Sequence, residues 1–506
     1  MSRHLTNLLL AFLVLALARS VQGEWQPNQV DVAIPLRDGK SLSADVFLPT
    51  KEGKYPTVLI QTPYNKSFQR GVIGEGKERG GEVGRGAESD LAVLRDREHY
   101  AYVVVDWRGF FASKAAAVGA KKPLKRGLDG YDAVEWIAKQ PWSDGKVGTW
   151  GGSALGRIQL ETAIEKPPHL VCAVPLIAPL GQRYEDYYEG GILLEAHVNM
   201  LDKLGFGVGA IVKQFPNADA PAWALAKRAT YKPDSIDVPC LFITGWWDLH
   251  PASILSSFDD VRAKGGGKAR QSKLLVGPWD HVSIGVAQQG DLSFPKAAKS
   301  SGEAAKAFLD HWLRGLDNGW DQTPDSRVWQ IGDEEWVKET PRSSLRREVE
   351  SIALGAGGAY TSDPANPSPT LGGANLPPLK HGPTDHSALD ARQDQHVWKI
   401  VKPTRVNGAP ELEFEATIDK ESCDFIARLC EVRDGKPYLL ADAARRLKAK
   451  PGEKTRVTIA FPPTAITSRE LRLYLTSSNW PRYARDEGVV AVTVHEGATL
   501  KVPTLR

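Results

Sequence analysis

The chain has 506 residues, of which 42% are hydrophobic and 25% are charged, and its formal net charge at pH 7 is +3. This is enough apolar material for two or three packed units. The charge is close to neutral for such a length, and no basic cluster alternates with aromatic residues, so composition excludes nucleic acid as a partner.

The first 23 residues have the pattern of a secretory signal. A short polar start is followed by an apolar run over residues 8–17 and then by residues 21–23. We expect cleavage after Gly23. The pattern predicts a secreted or periplasmic protein. The apolar run is too short to span a bilayer comfortably, so no stable membrane span is expected after cleavage. The alternative is an uncleaved N-terminal anchor.

Residues 24–180 alternate strand patterns with helical ones, which predicts a mostly parallel sheet and the first part of an α/β core. Residues 57–61 form a strand pattern that would bring Tyr64 to the carboxyl end of the sheet. Asp106 and Arg108 end the next strand pattern, and we interpret them as a polar network that supports the site. The glycine-rich residues 70–86 predict a surface loop or a lid, and they lack the order of a phosphate-binding loop.

Ser153 lies between a short apolar strand pattern and a helical one, with Gly151 and Gly152 before it. Such a turn exposes a serine hydroxyl, as a nucleophile elbow requires. The usual pattern has glycine two residues after the serine, whereas this chain has Leu155 there and Gly156 one place later. A turn of this kind is also common in α/β proteins without any catalytic role.

Two polar residues follow later strands in the order that an α/β-hydrolase needs. Asp248 comes after the apolar run 238–247, and His281 follows the similar run 273–280. Serine, acid and histidine in this order match the α/β-hydrolase fold, because the imidazole activates the serine and the carboxylate orients the imidazole. Residues 181–236 have few strand signals, which predicts a helical cap between core parts 24–180 and 237–322.

Residues 323–506 change to alternating strand patterns, which predict antiparallel sheets in a C-terminal all-β domain. Within it, the proline- and glycine-rich residues 351–383 predict an irregular segment that wraps the domain junction. Four cysteines lie in strand-like runs, and we expect buried thiols without a disulfide or zinc site. They are Cys172, Cys240, Cys423 and Cys430.

Several separated blocks resemble the cocaine esterase and X-Pro dipeptidyl-peptidase group of serine hydrolases, called CocE/NonD. The blocks occur in one order over nearly the whole mature chain. They cover residues 62–66, 106–109, 130–136, 140–148, 151–156, 245–248, 277–281, 311–319, 360–364, 369–373 and 477–482.

The resemblance implies an α/β-hydrolase domain with an inserted helical cap, followed by an all-β jelly-roll C-terminal domain. It implies Ser153 as nucleophile, His281 as general base and Asp248 as the acid that orients it. Tyr64 and the backbone N–H of Ala154 would form the oxyanion hole. The family generally has tyrosine where this chain has Ala154. This change removes an aromatic side chain from the pocket wall and puts the substrate choice in doubt.

We therefore expect a secreted serine hydrolase that cleaves an ester or amide through an acyl-enzyme, without a metal or organic cofactor. Its partner would be a small-molecule ester, an amide or a short peptide. One alternative is an X-Pro-type exopeptidase, which needs a carboxylate for the substrate's ammonium, and the acidic residues within 183–189 offer candidates. A remote alternative is a non-catalytic glycan-binding protein.

Overall fold

The computed structural model describes residues 26–75, 96–338 and 348–504. The predicted signal, residues 1–23, and residues 76–86 of the glycine-rich segment lie outside these ranges. Residues 70–75 of that segment belong to a helix, so the prediction of a loop is wrong there. None of the helices in the described ranges is long and apolar enough to cross a membrane.

A ten-stranded sheet forms the centre of the N-terminal part. In chain order, the strands of this part are β1 (Gln29–Pro35), β2 (Ser41–Phe47), β3 (Tyr55–Thr62), β4 (Ala101–Asp106), β5 (Ser143–Gly152), β6 (Leu170–Leu176), β7 (Tyr188–Glu189), β8 (Ile192–Leu193), β9 (Leu241–Trp247), β10 (Lys273–Asp280), β11 (Gln288–Gln289), β12 (Leu292–Ser293), β13 (Ser326–Gln330) and β14 (Glu335–Val337).

The order across the large sheet is β1-β2-β4-β3-β5-β6-β9-β10-β13-β14, while β7-β8 and β11-β12 are separate hairpins. The strands from β4 to β13 run parallel to one another, and antiparallel strands extend the sheet at both edges. β3, β4, β9 and β10 are almost wholly buried because helices cover both faces. The carboxyl ends of these parallel strands therefore meet at one edge, where active sites of α/β sheets form.

Helices connect the strands and form the cap. They are α1 (Lys66–Glu75), α2 (Arg126–Ala138), α3 (Ala154–Ile164), α4 (Glu195–Lys203), α5 (Gly209–Val212), α6 (Pro221–Thr230), α7 (Pro251–Lys264) and α8 (Ser300–Arg314). The cap consists of α4, α5, α6 and the β7-β8 hairpin, and it has a small core of its own that includes Tyr184, Tyr187 and Val198. A helical region lies where the sequence predicts the cap.

The C-terminal part is built from antiparallel strands. They are β15 (Glu348–Ala353), β16 (Gly358–Ser362), β17 (Gln395–Ile400), β18 (Thr404–Gly408), β19 (Glu411–Ile418), β20 (Ser422–Arg433), β21 (Lys436–Lys448), β22 (Thr455–Ala460), β23 (Thr464–Ser468), β24 (Leu471–Thr476), β25 (Val490–Val494) and β26 (Thr499–Thr504). They form a six-stranded sheet, a four-stranded sheet with the order β17-β24-β20-β21, and the pair β18-β23. The all-β prediction is confirmed, whereas the jelly-roll topology stays a prediction.

The structure adds two details to the sequence-based boundaries, which stay predictions. The predicted C-terminal domain starts at residue 323, yet β13 and β14 lie at the edge of the hydrolase sheet because β13 pairs in parallel with β10. The stretch 351–383 contains the end of β15 and all of β16, so it is irregular only after Ser362. The rest of that stretch contacts both parts, since the backbone N–H of Thr370 donates to Trp480 and His381 contacts Asp280.

All four cysteines are free and buried, as predicted. Cys172 lies in β6, and Cys240 immediately precedes β9. Cys423 and Cys430 lie on the same strand, β20, where extended backbone keeps their side chains far apart. Burial raises the pKa of each thiol, so the thiols remain protonated at neutral pH.

Candidate active site

Ser153 occupies the turn between β5 and α3, at the carboxyl edge of the large sheet. Its backbone has φ of 57° and ψ of −119°, in the left-handed half of the Ramachandran map that L-residues rarely adopt. Such a conformation costs about 1–3 kcal/mol and persists only where the surrounding structure enforces it. The side chain is half-buried, so its hydroxyl remains accessible at the tip of the turn.

The displaced glycine of this turn has a steric explanation. A Cβ atom on Gly156 would lie 2.7 Å from the backbone oxygen of Leu176 and 2.7 Å from the Cβ of Ala178. Glycine is therefore required where α3 passes closest to the end of β6. Leu155, which takes the place of the usual glycine, is buried and packs near Gly151. The turn tolerates Leu155 because the closest approach between α3 and the end of β6 is at Gly156, one residue after the glycine of the usual pattern.

The structure brings His281 and Asp248 to Ser153. The Nε2 atom of His281 lies 3.0 Å from the Ser153 Oγ, and its Nδ1 atom lies 2.6 Å from an oxygen of Asp248. In the tautomer that suits both contacts, Nδ1–H donates to the carboxylate and Nε2 accepts the serine proton. A serine, an imidazole and a carboxylate in this arrangement can carry out nucleophilic acyl transfer.

Asp248 is held in one orientation and kept ionised. One carboxylate oxygen accepts the Thr244 hydroxyl at 2.7 Å, and the other accepts the Leu249 backbone N–H at 2.6 Å as well as the His281 ring. Burial alone would raise the pKa of Asp248, but the hydrogen bonds and the nearby histidines outweigh it and lower the pKa below its usual value. Asp248 therefore carries its negative charge at neutral pH.

Asp280 precedes His281 directly in the chain but points elsewhere. One of its oxygens accepts the backbone N–H groups of Val282 and Ser283, and the other contacts the His381 ring at 2.7 Å. Asp280 thus shapes the loop that carries His281 and ties it to the C-terminal part. The carboxylate at the His281 ring belongs to Asp248.

Tyr64 and Ala154 converge beside the serine. The Tyr64 hydroxyl lies near enough to the Ser153 side chain and to the backbone of Ala154, the first residue of α3, for both to lower its pKa. Burial raises the pKa of Tyr64, so it stays protonated and able to donate. The first N–H groups of a helix have no partner within the helix, which leaves them available to an anion. Both groups predicted for the oxyanion hole therefore lie next to Ser153.

Asp106 holds the loop that carries Tyr64. This buried carboxylate accepts the backbone N–H of Lys66 at 2.7 Å through one oxygen and that of Ala112 at 3.1 Å through the other. Arg108 belongs to a different group, in which its guanidinium pairs with Asp129 and Asp38, each at 2.6 Å. The predicted polar network is thus two separate networks, of which the Asp106 network reaches the Tyr64 loop.

Several neighbours of the site were missed by sequence reasoning. Phe206, three residues after the end of α4, packs edge-on against Tyr64 with ring centroids 6.5 Å apart, and it also packs against Trp107 and Phe110. A cavity of about 1740 Å³ opens between the cap, the loop after β9 and the C-terminal domain. In the described ranges, no group of three or more His, Cys, Asp or Glu side chains is arranged to bind a metal ion.

Two family models match most of the chain. The X-Pro dipeptidyl-peptidase (S15 family) model matches residues 38–224 and 211–283, and the model of the X-Pro dipeptidyl-peptidase C-terminal non-catalytic domain matches residues 318–505. Cocaine esterase from Rhodococcus sp. is 25% identical over 558 aligned positions, covering 92% of this chain and 93% of that protein. A putative serine esterase from Mycobacterium bovis is 31% identical over 176 positions, which cover 31% of this chain and 26% of that protein.

Solved structures show the same fold. An aminopeptidase from the marine sediment archaeon Thaumarchaeota archaeon has a TM-score of 0.74 at 18% identity, covering 94% of this chain and 96% of that one. An α-amino acid ester hydrolase has a TM-score of 0.73 at 18% identity, with the same coverage. A CocE/NonD family hydrolase from Staphylococcus aureus has a TM-score of 0.66 at 19% identity, covering 94% and 93%. The two family models and the similarity to cocaine esterase along nearly the whole chain show that this protein is a serine hydrolase of the cocaine esterase and X-Pro dipeptidyl-peptidase group, CocE/NonD.

Proposed function

We propose that this protein hydrolyses an ester or amide of a small molecule through a covalent acyl-enzyme on Ser153. The observation that carries the proposal is the chain of contacts from the Ser153 hydroxyl through both nitrogens of His281 to the buried Asp248. The serine is half-exposed and lies where a substrate carbonyl can approach it. None of the steps below requires a metal or an organic cofactor.

In the first half-reaction, the Ser153 Oγ attacks the substrate carbonyl carbon while its proton moves to the His281 Nε2. The carbonyl oxygen becomes negatively charged and accepts hydrogen bonds from the Tyr64 hydroxyl and the Ala154 N–H. The carbonyl then re-forms, and the alcohol or amine leaves with the proton of His281. In the second half-reaction, water attacks the acyl carbon, gives a proton to His281, and the acid leaves as Ser153 recovers its proton.

Two of the three acidic residues within 183–189 are paired inside the protein and are therefore not available to the ammonium that the exopeptidase alternative requires. Asp186 faces the Arg157 guanidinium at 3.5 Å, and Glu189 accepts the Tyr483 hydroxyl at 2.7 Å with Arg482 at 3.5 Å. These two carboxylates thus already have a cationic partner in the protein, whereas the third acid, Glu185, is exposed and lines the cavity. A substrate ammonium needs a carboxylate whose charge is not compensated in this way.

Hydrolysis of 4-nitrophenyl acetate and butyrate tests the proposal. We expect release of nitrophenol that a fluorophosphonate abolishes in a time-dependent way, because the reagent phosphonylates an activated serine. A chelator such as EDTA serves as the control and should leave the rate unchanged. Full hydrolysis after complete reaction with the fluorophosphonate would contradict a serine mechanism.

Replacing Tyr64 by phenylalanine tests the oxyanion hole. The change removes one hydrogen bond that strengthens in the transition state, so we expect kcat to fall about a hundredfold with little change in folding. The Ala154 N–H remains, so residual activity should exceed that of a Ser153→Ala variant. Tyr55→Phe is the matched control, since Tyr55 lies at the other end of β3 and its hydroxyl donates only to Lys51. An unchanged kcat in Tyr64→Phe would reduce Tyr64 to a packing residue.

We also propose that the protein is exported, on the strength of the signal-like pattern of residues 1–23. The mature chain should then begin at Glu24. Intact-mass measurement of the protein recovered from the periplasm or the medium tests this, and an unprocessed N-terminus in the cell fraction would contradict it.

A further inference from the structure

A cluster of four charged side chains lies next to the turn that carries Tyr64 and takes no part in the mechanism above. Lys66 and Arg70 come from α1, Asp45 from β2 and Asp31 from β1. Lys66 is only 1% exposed, and Asp45 is completely buried. Charged side chains are almost never buried to this extent unless they are paired, so the cluster is a built feature of the fold.

The Lys66 ammonium is the centre of this cluster. Its Nζ atom donates to Asp45 at 2.8 Å and to Asp31 at 2.5 Å. The Arg70 guanidinium pairs with the same Asp45, with one N–H donor at 3.1 Å. Two cations thus balance two carboxylates, and the loss of one member leaves a buried charge without its full compensation. Because the Asp31 side chain is 62% exposed, the buried contact of Lys66 is the one with Asp45.

The turn beside the cluster has an unusual backbone conformation. Asn65, between Tyr64 and Lys66, has a φ of 75°, in the left-handed region that asparagine tolerates better than most residues. The Tyr64 N–H donates to the Thr62 hydroxyl at 3.0 Å. The Lys66 N–H donates to Asp106 at 2.7 Å, so the backbone is held on both sides of Asn65. The Lys66 side chain adds a third anchor, which ties the end of the turn to β2.

The position of the Tyr64 hydroxyl beside Ser153 depends on this turn. A hydrogen-bond donor in an active site must be held within about 0.5 Å of its productive position. A misplacement of about 1 Å can cost about a hundredfold in rate. A side chain that fixes the turn therefore affects the rate even though its own ammonium contacts carboxylates of β1 and β2.

We propose that Lys66 is a positioning residue for the oxyanion hole and acts through Tyr64. Its buried pairing with Asp45 fixes the first residue of α1 against β2. The turn that ends at Lys66 then holds the Tyr64 hydroxyl where the negative oxygen of the tetrahedral intermediate forms. Lys66 itself touches neither the substrate nor the reacting atoms. This inference rests on the proposed acyl transfer at Ser153.

A double-mutant cycle between Lys66 and Tyr64 tests the proposal. Lys66→Met removes the ammonium and keeps an unbranched apolar stem. With Tyr64 present, we expect kcat for 4-nitrophenyl acetate to fall about tenfold and KM to change less than about twofold, because a misplaced hydroxyl weakens transition-state binding only. In the Tyr64→Phe background, Lys66→Met should change kcat less than about twofold, because the hydroxyl that it positions is already absent. Rates are divided by the amount of protein that a fluorophosphonate labels at completion, so that a loss of folded protein does not count.

Arg70→Met is the matched control. Arg70 pairs with the same Asp45 but lies one turn of α1 after Lys66, outside the turn that carries Tyr64. Each variant removes one cation from Asp45, so both should lower the melting temperature. Arg70→Met should nevertheless keep kcat within about twofold of the wild type, because Lys66 still anchors the turn. Lys66→Gln is the second variant, since it keeps a hydrogen-bond donor for Asp45 and leaves Arg70 as the ionic partner. It should fold even where Lys66→Met does not, and the same cycle with Tyr64→Phe applies to it.

An unchanged kcat in a folded Lys66 variant would overturn the positioning role. An equal loss of kcat with and without the Tyr64 hydroxyl would also overturn it, as would an equal loss in Arg70→Met, since either result would mean that the cluster only supports the fold. In each of these cases, a wild-type protein whose Ser153 reacts with a fluorophosphonate leaves the proposed function standing. Failure of the wild-type protein to react would instead contradict the proposed function.

Discussion

A Ser153→Ala variant should lose turnover almost completely, with kcat reduced about 10⁴-fold or more. The Ser153 Oγ is the nucleophile of the first half-reaction, and its contact with the His281 Nε2 at 3.0 Å activates it. The fold should persist, because alanine removes a single atom from a half-exposed turn and can adopt the same backbone conformation. Ester hydrolysis and thermal unfolding measure the two effects separately.

The matched control is Ser256→Ala. Ser256 lies on the exposed face of α7, where its hydroxyl donates to the backbone of Ala252 at 3.0 Å. This variant should keep full activity and nearly the same stability. If the Ser153→Ala variant hydrolyses the ester at a rate close to that of the Ser256→Ala control, another residue is the nucleophile.

Asp248→Asn should reduce kcat about 10⁴-fold while leaving KM and the fold nearly unchanged. An asparagine amide offers an N–H toward the His281 Nδ1, which favours the tautomer whose Nε2 carries a proton and cannot accept one from Ser153. It also removes the negative charge that stabilises the imidazolium. The lowered pKa of Asp248 means that the wild-type carboxylate is charged throughout the neutral range.

Asp280→Asn is the control for this prediction. Asp280 is equally buried and adjacent to His281 in sequence, but its oxygens face Val282, Ser283 and His381. We expect a loss of stability and at most a modest loss of kcat, because the loop after β10 is weakened but the His281 tautomer is not changed. A larger loss of kcat in Asp280→Asn than in Asp248→Asn would mean that the orienting acid has been misassigned.

The sequence is sufficient to predict the catalytic residues that follow the ends of parallel strands. Ser153, Asp248 and His281 each follow an apolar run, and the carboxyl ends of parallel strands necessarily meet at one edge of a sheet. Their order along the chain therefore predicts that they meet in space. Tyr64 follows from the same rule, since it comes after β3.

Contacts between distant segments could not be predicted in this way. Asp186 and His197 meet His250 only because the cap folds over the β9 loop, and a single sequence gives no sign of that approach. Strand β13 lies in the range predicted as the C-terminal domain, yet it pairs in parallel with β10 in the hydrolase sheet. The local sequence pattern indicates how a strand is buried, whereas the strand with which it pairs depends on the tertiary fold.

The most direct measurement of the central claim is the site of reaction with a fluorophosphonate. After stoichiometric labelling of the full-length protein, proteolysis and tandem mass spectrometry should place the adduct on Ser153 alone, and Ser153→Ala should remain unlabelled. Ser153 combines an imidazole acceptor in His281 with neighbouring oxyanion donors, and both features accelerate this reaction. An adduct on any other residue, or equal labelling of the Ser153→Ala variant, would contradict the account.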